Sequence, residues 1–269
     1  MEIVTSTAAL RARVATWKAD GLTVGFVPTM GFLHRGHLSL MALARPRCDR
    51  LVVSIFVNPL QFGVGEDLDT YPRDHQGDAQ KCRSEDVDLL YVPDDFYPAD
   101  FSTRVSVSEV SAPLCGAART GHFEGVTTVV ARLFGLTRCD LAVFGEKDYQ
   151  QLAVIRRMVR DLALPVQVVG GPLVRDEDGL ALSSRNAYLS PANRVRARTL
   201  SQALAAMGEA GSVAERIRRG RAILDVDRLD YLEIRDAQTL EPVDDLARPA
   251  RAFVAAFVGE TRLIDNVAL

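Results

Sequence analysis

The stretch from Val24 to Leu38 constrains this chain more than any other. Val24 to Val27 is short, apolar and β-prone, and Pro28 ends the strand because it has no N–H to give a ladder. Gly31 permits a positive φ or a close backbone approach. A helix then runs from about Gly36 to Ala44, rich in helix formers. A helix that begins just past a strand turns its N–H groups and positive dipole end toward the carboxyl edge of the sheet, which suits an anion such as a phosphate. His34 and His37, two of only four histidines, lie three apart and share a helical face, with Gly36 leaving room between them for a ligand. Imidazole also suits a metal, but no third ligand is near, so the pattern favours a nucleotide.

Composition narrows the class. The chain has 269 residues, 48% of them hydrophobic and 25% charged, enough for one large or two modest globular units with a substantial core. A net charge of -3 argues against bulk electrostatic binding of nucleic acid. Cys48, Cys82, Cys115 and Cys139 are scattered without a Cys-x-x-Cys pair, which points to reduced thiols in the cytoplasm rather than a disulfide frame or zinc site. Glu2 and the lack of an early apolar run read as no signal peptide, and no apolar run is long enough to span a bilayer.

Taken in order, residues 2–20 read as an opening strand and a helix capped by Ser6 or Thr7, with Leu10, Val14 and Trp17 inward. Leu51 to Val57 is nearly all apolar and β-branched, as in a central parallel strand covered on both faces. Strand, helix and strand at this spacing predict a right-handed crossover and a doubly wound, Rossmann-like α/β sheet. Beyond that strand come Asn58 and Gln61, which both donate and accept; they suit a substrate with hydroxyls and a carboxylate, or form a simple capped turn. An acidic, solvated loop from Glu66 to Asp74 precedes a helix beginning at Asp78, and Val87 to Pro93 reads as a strand. Phe96 to Leu114 predicts a small edge hairpin, or a strand plus a lid. Arg119 and His122 contact phosphate, order their loop, or simply belong to a capped helix start, ahead of a buried helix from Val126 to Leu136.

Leu141 to Gly145 is a further strand, opening into Glu146-Lys147-Asp148 and a helix over 149–162. Lys147 is a point charge suited to a phosphate, and Asp148 can hold a ribose hydroxyl or orient the lysine. After the strand at Pro165–Gly170 a Gly/Pro break sets the expected boundary, with one domain over 1–173 and a smaller α+β lid domain over 174–269. Asp178-Gly179 signals a turn. Ser183, Ser184 and Arg185 follow, two hydroxyls and a bidentate cation able to wrap a polyphosphate. Helices at 192–208 and 212–220 and strands near 229–234, 251–258 and 261–266 complete the chain.

Four of these strings together resemble the pantothenate synthetase (pantoate–β-alanine ligase) family: Pro28-Thr29-Met30-Gly31 with His34-x-Gly36-His37; Asn58-Pro59-x-Gln61-Phe62; Gly145-Glu146-Lys147-Asp148-Tyr149-Gln150-Gln151; and Ser183-Ser184-Arg185-Asn186. The histidine element alone is shared across the nucleotidyltransferase superfamily related to class I aminoacyl-tRNA synthetases. Thr120 stands where the family usually has proline. The resemblance implies an ATP- and magnesium-dependent ligase that adenylates pantoate and passes the acyl group to β-alanine. It implies ATP contacts from Met30, His34, His37, Gly145, Lys147, Asp148, Val174, Leu182, Ser183, Ser184 and Arg185, with His34, His37 and Lys147 catalytic. It implies pantoate contacts from Asn58, Gln61 and Gln151, an approach of Asp78 to the magnesium, and a homodimer. A nucleotidylyltransferase with another acceptor, or a nucleotide-binding protein without catalysis, shares part of this pattern. The first lacks a reason to carry Gln61 with Gln150-Gln151, and the second would release no pyrophosphate.

Overall fold

The computed structural model describes all residues, 1–269. In chain order the elements are β1 (Glu2–Val4), α1 (Thr7–Ala19), β2 (Val24–Thr29), α2 (Arg35–Ala44), β3 (Arg50–Ile55), α3 (His75–Ser84), β4 (Leu89–Tyr91), α4 (Cys115–Ala118), α5 (His122–Thr137), β5 (Leu141–Gly145), α6 (Tyr149–Asp161) and β6 (Gln167–Gly171). They continue with α7 (Pro191–Ala197), α8 (Thr199–Met207), α9 (Val213–Ile223), β7 (Arg228–Asp236), β8 (Ala250–Val258) and β9 (Thr261–Ala268).

The first six strands form one parallel sheet in the order β1-β4-β3-β2-β5-β6. Strand β3 is buried from Leu51 to Ile55, as its unbroken apolar run requires of a strand covered on both faces. From β2 the chain runs outward through β3 and β4, with β1 at that edge, and from β5 it runs outward the other way to β6, so the sheet reverses between β2 and β5. Ligands of open α/β sheets sit beyond the strand ends at such a point. The predicted doubly wound sheet is therefore present, with its switch between the strand ending at Thr29 and the strand ending at Gly145.

The last three strands make a separate antiparallel sheet, β7-β8-β9. Leu200, Leu204 and Met207 of α8 pack with Ala252 and Val254 of β8 in a core of their own. Phe253, on the same strand, instead joins the large core of the parallel sheet. The Tyr149 hydroxyl donates to the Ala237 carbonyl at 2.9 Å, tying the two sheets further.

Local chemistry explains the main departures from the sequence reading. No hairpin forms between Phe96 and Leu114. The Val105 N–H goes to Thr128 Oγ1 at 3.0 Å and its carbonyl accepts from Thr127 Oγ1 at 2.5 Å, so hydroxyls of α5 take the bonds a partner strand would have taken. The helix expected over 192–208 breaks at Arg198, where Thr199 Oγ1 donates to the Arg196 carbonyl and Ser201 Oγ to the Arg198 carbonyl. Helix α3 starts at His75, one residue after its cap Asp74, rather than at Asp78. The Ser6 cap of α1 is as expected, its side chain accepting from the Ala9 N–H.

Candidate active site

The cleft at the switch point is lined from both sheet halves and from the segment after β6. Met30, His34 and His37 meet Gly145, Lys147 and Asp148 there, with Asn58, Gln61 and Gln151 at one side and Val174, Leu182 and Ser183–Arg185 at the other. Its volume is 220 Å³, and a wider 930 Å³ cavity adjoins it across Lys147, Asp148, Gln151, Ser183 and Arg185. Residues from four distant strings thus converge on one space.

The two histidines are held in an unusual way. The turn before α2 passes through Gly31 at φ +86° and Phe32 at +50°, and His34 is the cap of the helix. His34 Nδ1 accepts the Gly36 N–H and His37 Nδ1 accepts the His34 N–H, each at 3.2 Å, while the His37 N–H goes to the His34 carbonyl. With both Nδ1 atoms acting as acceptors, the proton of each neutral ring lies on Nε2. Burial, then the Lys147 charge, pushes His34 down to about 4. Burial, then His34 and Lys147, holds His37 well below its ordinary value. Both are therefore neutral Nε2–H donors, their rings 4.1 Å apart. This corrects the sequence reading in two respects. The helix N–H groups do not point bare at a ligand; the imidazoles cap them and carry the donor function outward. Gly36 makes room for the His34 ring rather than for a ligand, since a Cβ there would lie 3.0 Å from it.

Asn58 and Gln61 form a network of amides in the cleft. Asn58, 1% exposed, accepts from Tyr97 Oη at 2.9 Å and donates to the Gly125 carbonyl and to Gln61 Oε1. With its oxygen engaged, Gln61 presents its NH₂ group, next to Met30 Sδ at 3.2 Å. Gly125 allows α5 to press on this turn, because a Cβ there would sit 2.1 Å from the Leu60 carbonyl oxygen. His122 Nδ1 donates to the Gln61 carbonyl at 2.8 Å, and its Nε2 accepts from Arg119 Nη1 at 2.9 Å. Arg119 also grips Glu66 through Nε and Nη2 at 2.7 and 2.6 Å. Burial alone would raise Glu66, yet the Arg119 bonds outweigh it and hold the carboxyl at about 2. Of the readings left open for Arg119 and His122, the geometry is that of loop ordering, and no side chain caps the start of α5. Gln150 looks away, donating to the Val110 and Pro113 carbonyls and accepting from the Cys115 N–H.

Across the cleft, Asp178-Gly179 forms the expected turn and the Leu182 N–H bonds the Val174 carbonyl at 3.0 Å. Ser183 caps the next turn by accepting the Arg185 N–H, and Ser184 Oγ reaches the Phe32 carbonyl at 3.4 Å. The Arg185 fork is engaged by Asp67, with two bonds of 2.8 Å. Glu66 and Asp67 are thus paired with cations at the cleft, not solvated as their loop suggested, and Asp67 leaves Arg185 Nη1 as a donor for another partner. Nothing in the spacing of residues 67 and 185 signals that contact.

Asp78 does not fit the expected approach to magnesium. Its carboxylate is 1% exposed and accepts the Phe32 and Leu33 N–H groups at 2.7 Å each, with Lys81 at 3.8 Å. It braces the turn behind the histidines. No three His, Cys, Asp or Glu side chains are grouped to hold a metal ion. No helix is long and apolar enough to cross a membrane.

The pantoate-beta-alanine ligase family model matches residues 2–268. The chain is 52% identical to the pantothenate synthetase of Rhodospirillum rubrum, over 99% of this chain and 98% of that one, and 51% identical to that of Pseudomonas entomophila, over 100% and 98%. The crystal structure of pantothenate synthetase from Thermus thermophilus matches with a TM-score of 0.93 at 52% identity, over 99% of both chains. That of pantoate-beta-alanine ligase from Francisella tularensis, complexed with beta-gamma ATP and beta-alanine, matches at 0.83 and 33% identity, over 99% and 97%. The chain belongs to the pantoate–β-alanine ligase family.

Proposed function

We propose that the cleft at the sheet's switch point joins pantoate to β-alanine in two steps, through a pantoyl adenylate. A carboxylate is a poor acylating agent, and adenylation supplies the missing leaving group. A pantoate carboxylate oxygen attacks the α-phosphorus of ATP, the bond to the bridging oxygen breaks, and pyrophosphate leaves with the electron pair. The β-alanine amine then attacks the acyl carbon, gives up a proton, and AMP departs.

The observation that carries this reading is the convergence of two neutral Nε2–H donors with Lys147 in one cleft. Charge grows on the α-phosphate oxygens as the fifth bond forms, and fixed donors stabilise it without reorganising. His34 and His37 are the donors in this account, with His37 most closely tied to turnover. Lys147 neutralises phosphate charge, Ser183, Ser184 and Arg185 hold the outer phosphates, and Asp148, Gly145, Met30, Leu182 and Val174 hold the nucleoside. The NH₂ group that Gln61 presents, with Asn58 and Gln151, meets the oxygens of pantoate. Magnesium, which the resemblance implies, would neutralise phosphate charge and would be held by the nucleotide rather than by a cage of this chain, since no three His, Cys, Asp or Glu side chains are grouped for it.

Residues 174–269 act as the lid domain over 1–173, a division that the separate α8–β8 core supports. Four free cysteines suit a reducing cytoplasm. A homodimer, proposed on the family resemblance, is tested by sedimentation equilibrium.

Product analysis tests the chemistry. One equivalent each of pantothenate, AMP and pyrophosphate is expected, with both acid and amine required, and His37→Ala lowering kcat by about 10²–10³-fold. ADP as product, or a fully active folded His37→Ala variant, would contradict it.

A further inference from the structure

Lys147 sits on a single turn of 3-10 helix, Glu146–Asp148, between β5 and α6. Such a turn has poor internal hydrogen-bond geometry, and a lysine stem is rich in rotamers. Something outside the turn must hold it. The wider cavity beside the cleft is walled in part by β9, and from that strand Asn266 reaches across to the turn. Its Nδ2 donates to the Glu146 carbonyl at 3.0 Å and to the Lys147 carbonyl at 2.8 Å. Asn266 is 4% exposed, so these bonds are made out of water.

Its amide can point only one way. Arg251 Nη1 donates to Asn266 Oδ1 at 2.5 Å, which leaves the NH₂ group facing the two carbonyls. Arg251 is itself fixed to the same turn and helix: its guanidinium lies 3.9 Å over the Tyr149 ring, and Nη2 is 3.4 Å from Glu146 Oε2. The Asn266 N–H bonds Asp265 Oδ1 at 2.7 Å, and Asp265 pairs with Arg175, next to Val174. One clamp on the C-terminal sheet therefore grips the backbone at 146 and 147 and the side chains at 146 and 149.

We propose that Asn266, oriented by Arg251, is the positioning residue for Lys147, so that the C-terminal sheet sets the turn from which the lysine meets the phosphates of ATP. This rests on the role given to Lys147 above. Burial is the main cause of the depression of both imidazoles, and the further lowering by the Lys147 charge agrees with a lysine held close to them.

A double-mutant cycle on ATP affinity, measured by calorimetry with the full chain, separates positioning from general packing. In the native background Asn266→Ala is expected to weaken ATP binding about 10-fold, as a displaced charge would. In a Lys147→Ala background the same change should cost less than about twofold, because there is no lysine left to position. Equal losses in the two backgrounds, or no loss in either, would overturn the proposal. If Asn266→Ala does not fold, Asn266→Asp serves, since it keeps the Arg251 partner but puts an acceptor oxygen, in place of the NH₂ group, against the two carbonyls. It is expected to show the same non-additive loss, and native ATP affinity in that variant would equally overturn the proposal. A native chain that binds ATP but shows no pantoate-dependent pyrophosphate exchange would refute the proposed reaction while leaving this cycle to decide the positioning role.

Discussion

Backbone N–H groups decide which nitrogen of His34 and of His37 carries the proton. An imidazole whose Nδ1 accepts from an amide is a donor at Nε2, and hydrogen bonds in such a chain polarise one another. The site thus extends the donor character of a helix start by the width of a ring. Nitrogen NMR of the imidazoles at neutral pH should show both rings as the Nε2–H tautomer, with His34 titrating near 4. An Nδ1–H tautomer, or titration near the ordinary value of 6.5, would refute the assignment. The same logic separates His122, whose Nδ1 donates and whose Nε2 accepts from Arg119; it is a brace and not a cleft donor.

Among the elements, the turn carrying Gln61 depends most on a neighbour. Helix α5 lies against it with no room to spare at Gly125. Gly125→Ala must push that turn away, and misplacement by about 1 Å costs on the order of 10²-fold in a positioned reaction. We expect kcat/KM for pantoate to fall about 10- to 100-fold while ATP affinity holds. Steady-state kinetics with each substrate varied would decide; a variant unchanged toward pantoate would sink the assignment of Gln61. Helix α5 also shows why the region before it departs from its sequence pattern. Alternation from Arg104 to Val107 looks like a strand, but the hydroxyls at 127 and 128, some twenty residues on, satisfy that backbone instead.

For the molecule as a whole, stability carries the mark of its neutral histidines. Burial first, with the Lys147 charge near one and the Arg119 charge near the other, pushes His34 and His122 down to about 4. Between the ordinary value of 6.5 and about 4, the unfolded chain takes up protons that the folded chain refuses. Stability from these groups is complete above pH 6.5 and is lost as pH falls. At pH 5 the two together cost about 4 kcal/mol, a large share of the roughly 5–15 kcal/mol typical of a domain. Melting curves should therefore drop by on the order of 10 °C between about pH 7 and 5, and a Tm constant over that range would contradict the neutral, buried state.

The parallel sheet, the histidine helix and the residues of the cleft were legible in the sequence because each lies in a local string: a strand, a turn and a helix start within about fifteen residues. The braces were not. Asp67 on Arg185, Tyr97 on Asn58, Arg119 on Glu66 and Asn266 on the Lys147 turn join residues 39 to 119 positions apart, and only the fold brings them together. Asp78 departs from its expected role for the same reason, since its partners, the amides of Phe32 and Leu33, lie 46 and 45 residues away.

The central claim is that an acid is activated as its adenylate in the cleft of His34, His37 and Lys147. Exchange of labelled pyrophosphate into ATP, with magnesium and pantoate but without β-alanine, measures that step alone. The account requires exchange that depends on pantoate and is abolished by Lys147→Ala in a folded chain. Exchange without pantoate, or none while ATP still binds, would contradict it and turn attention to another acceptor.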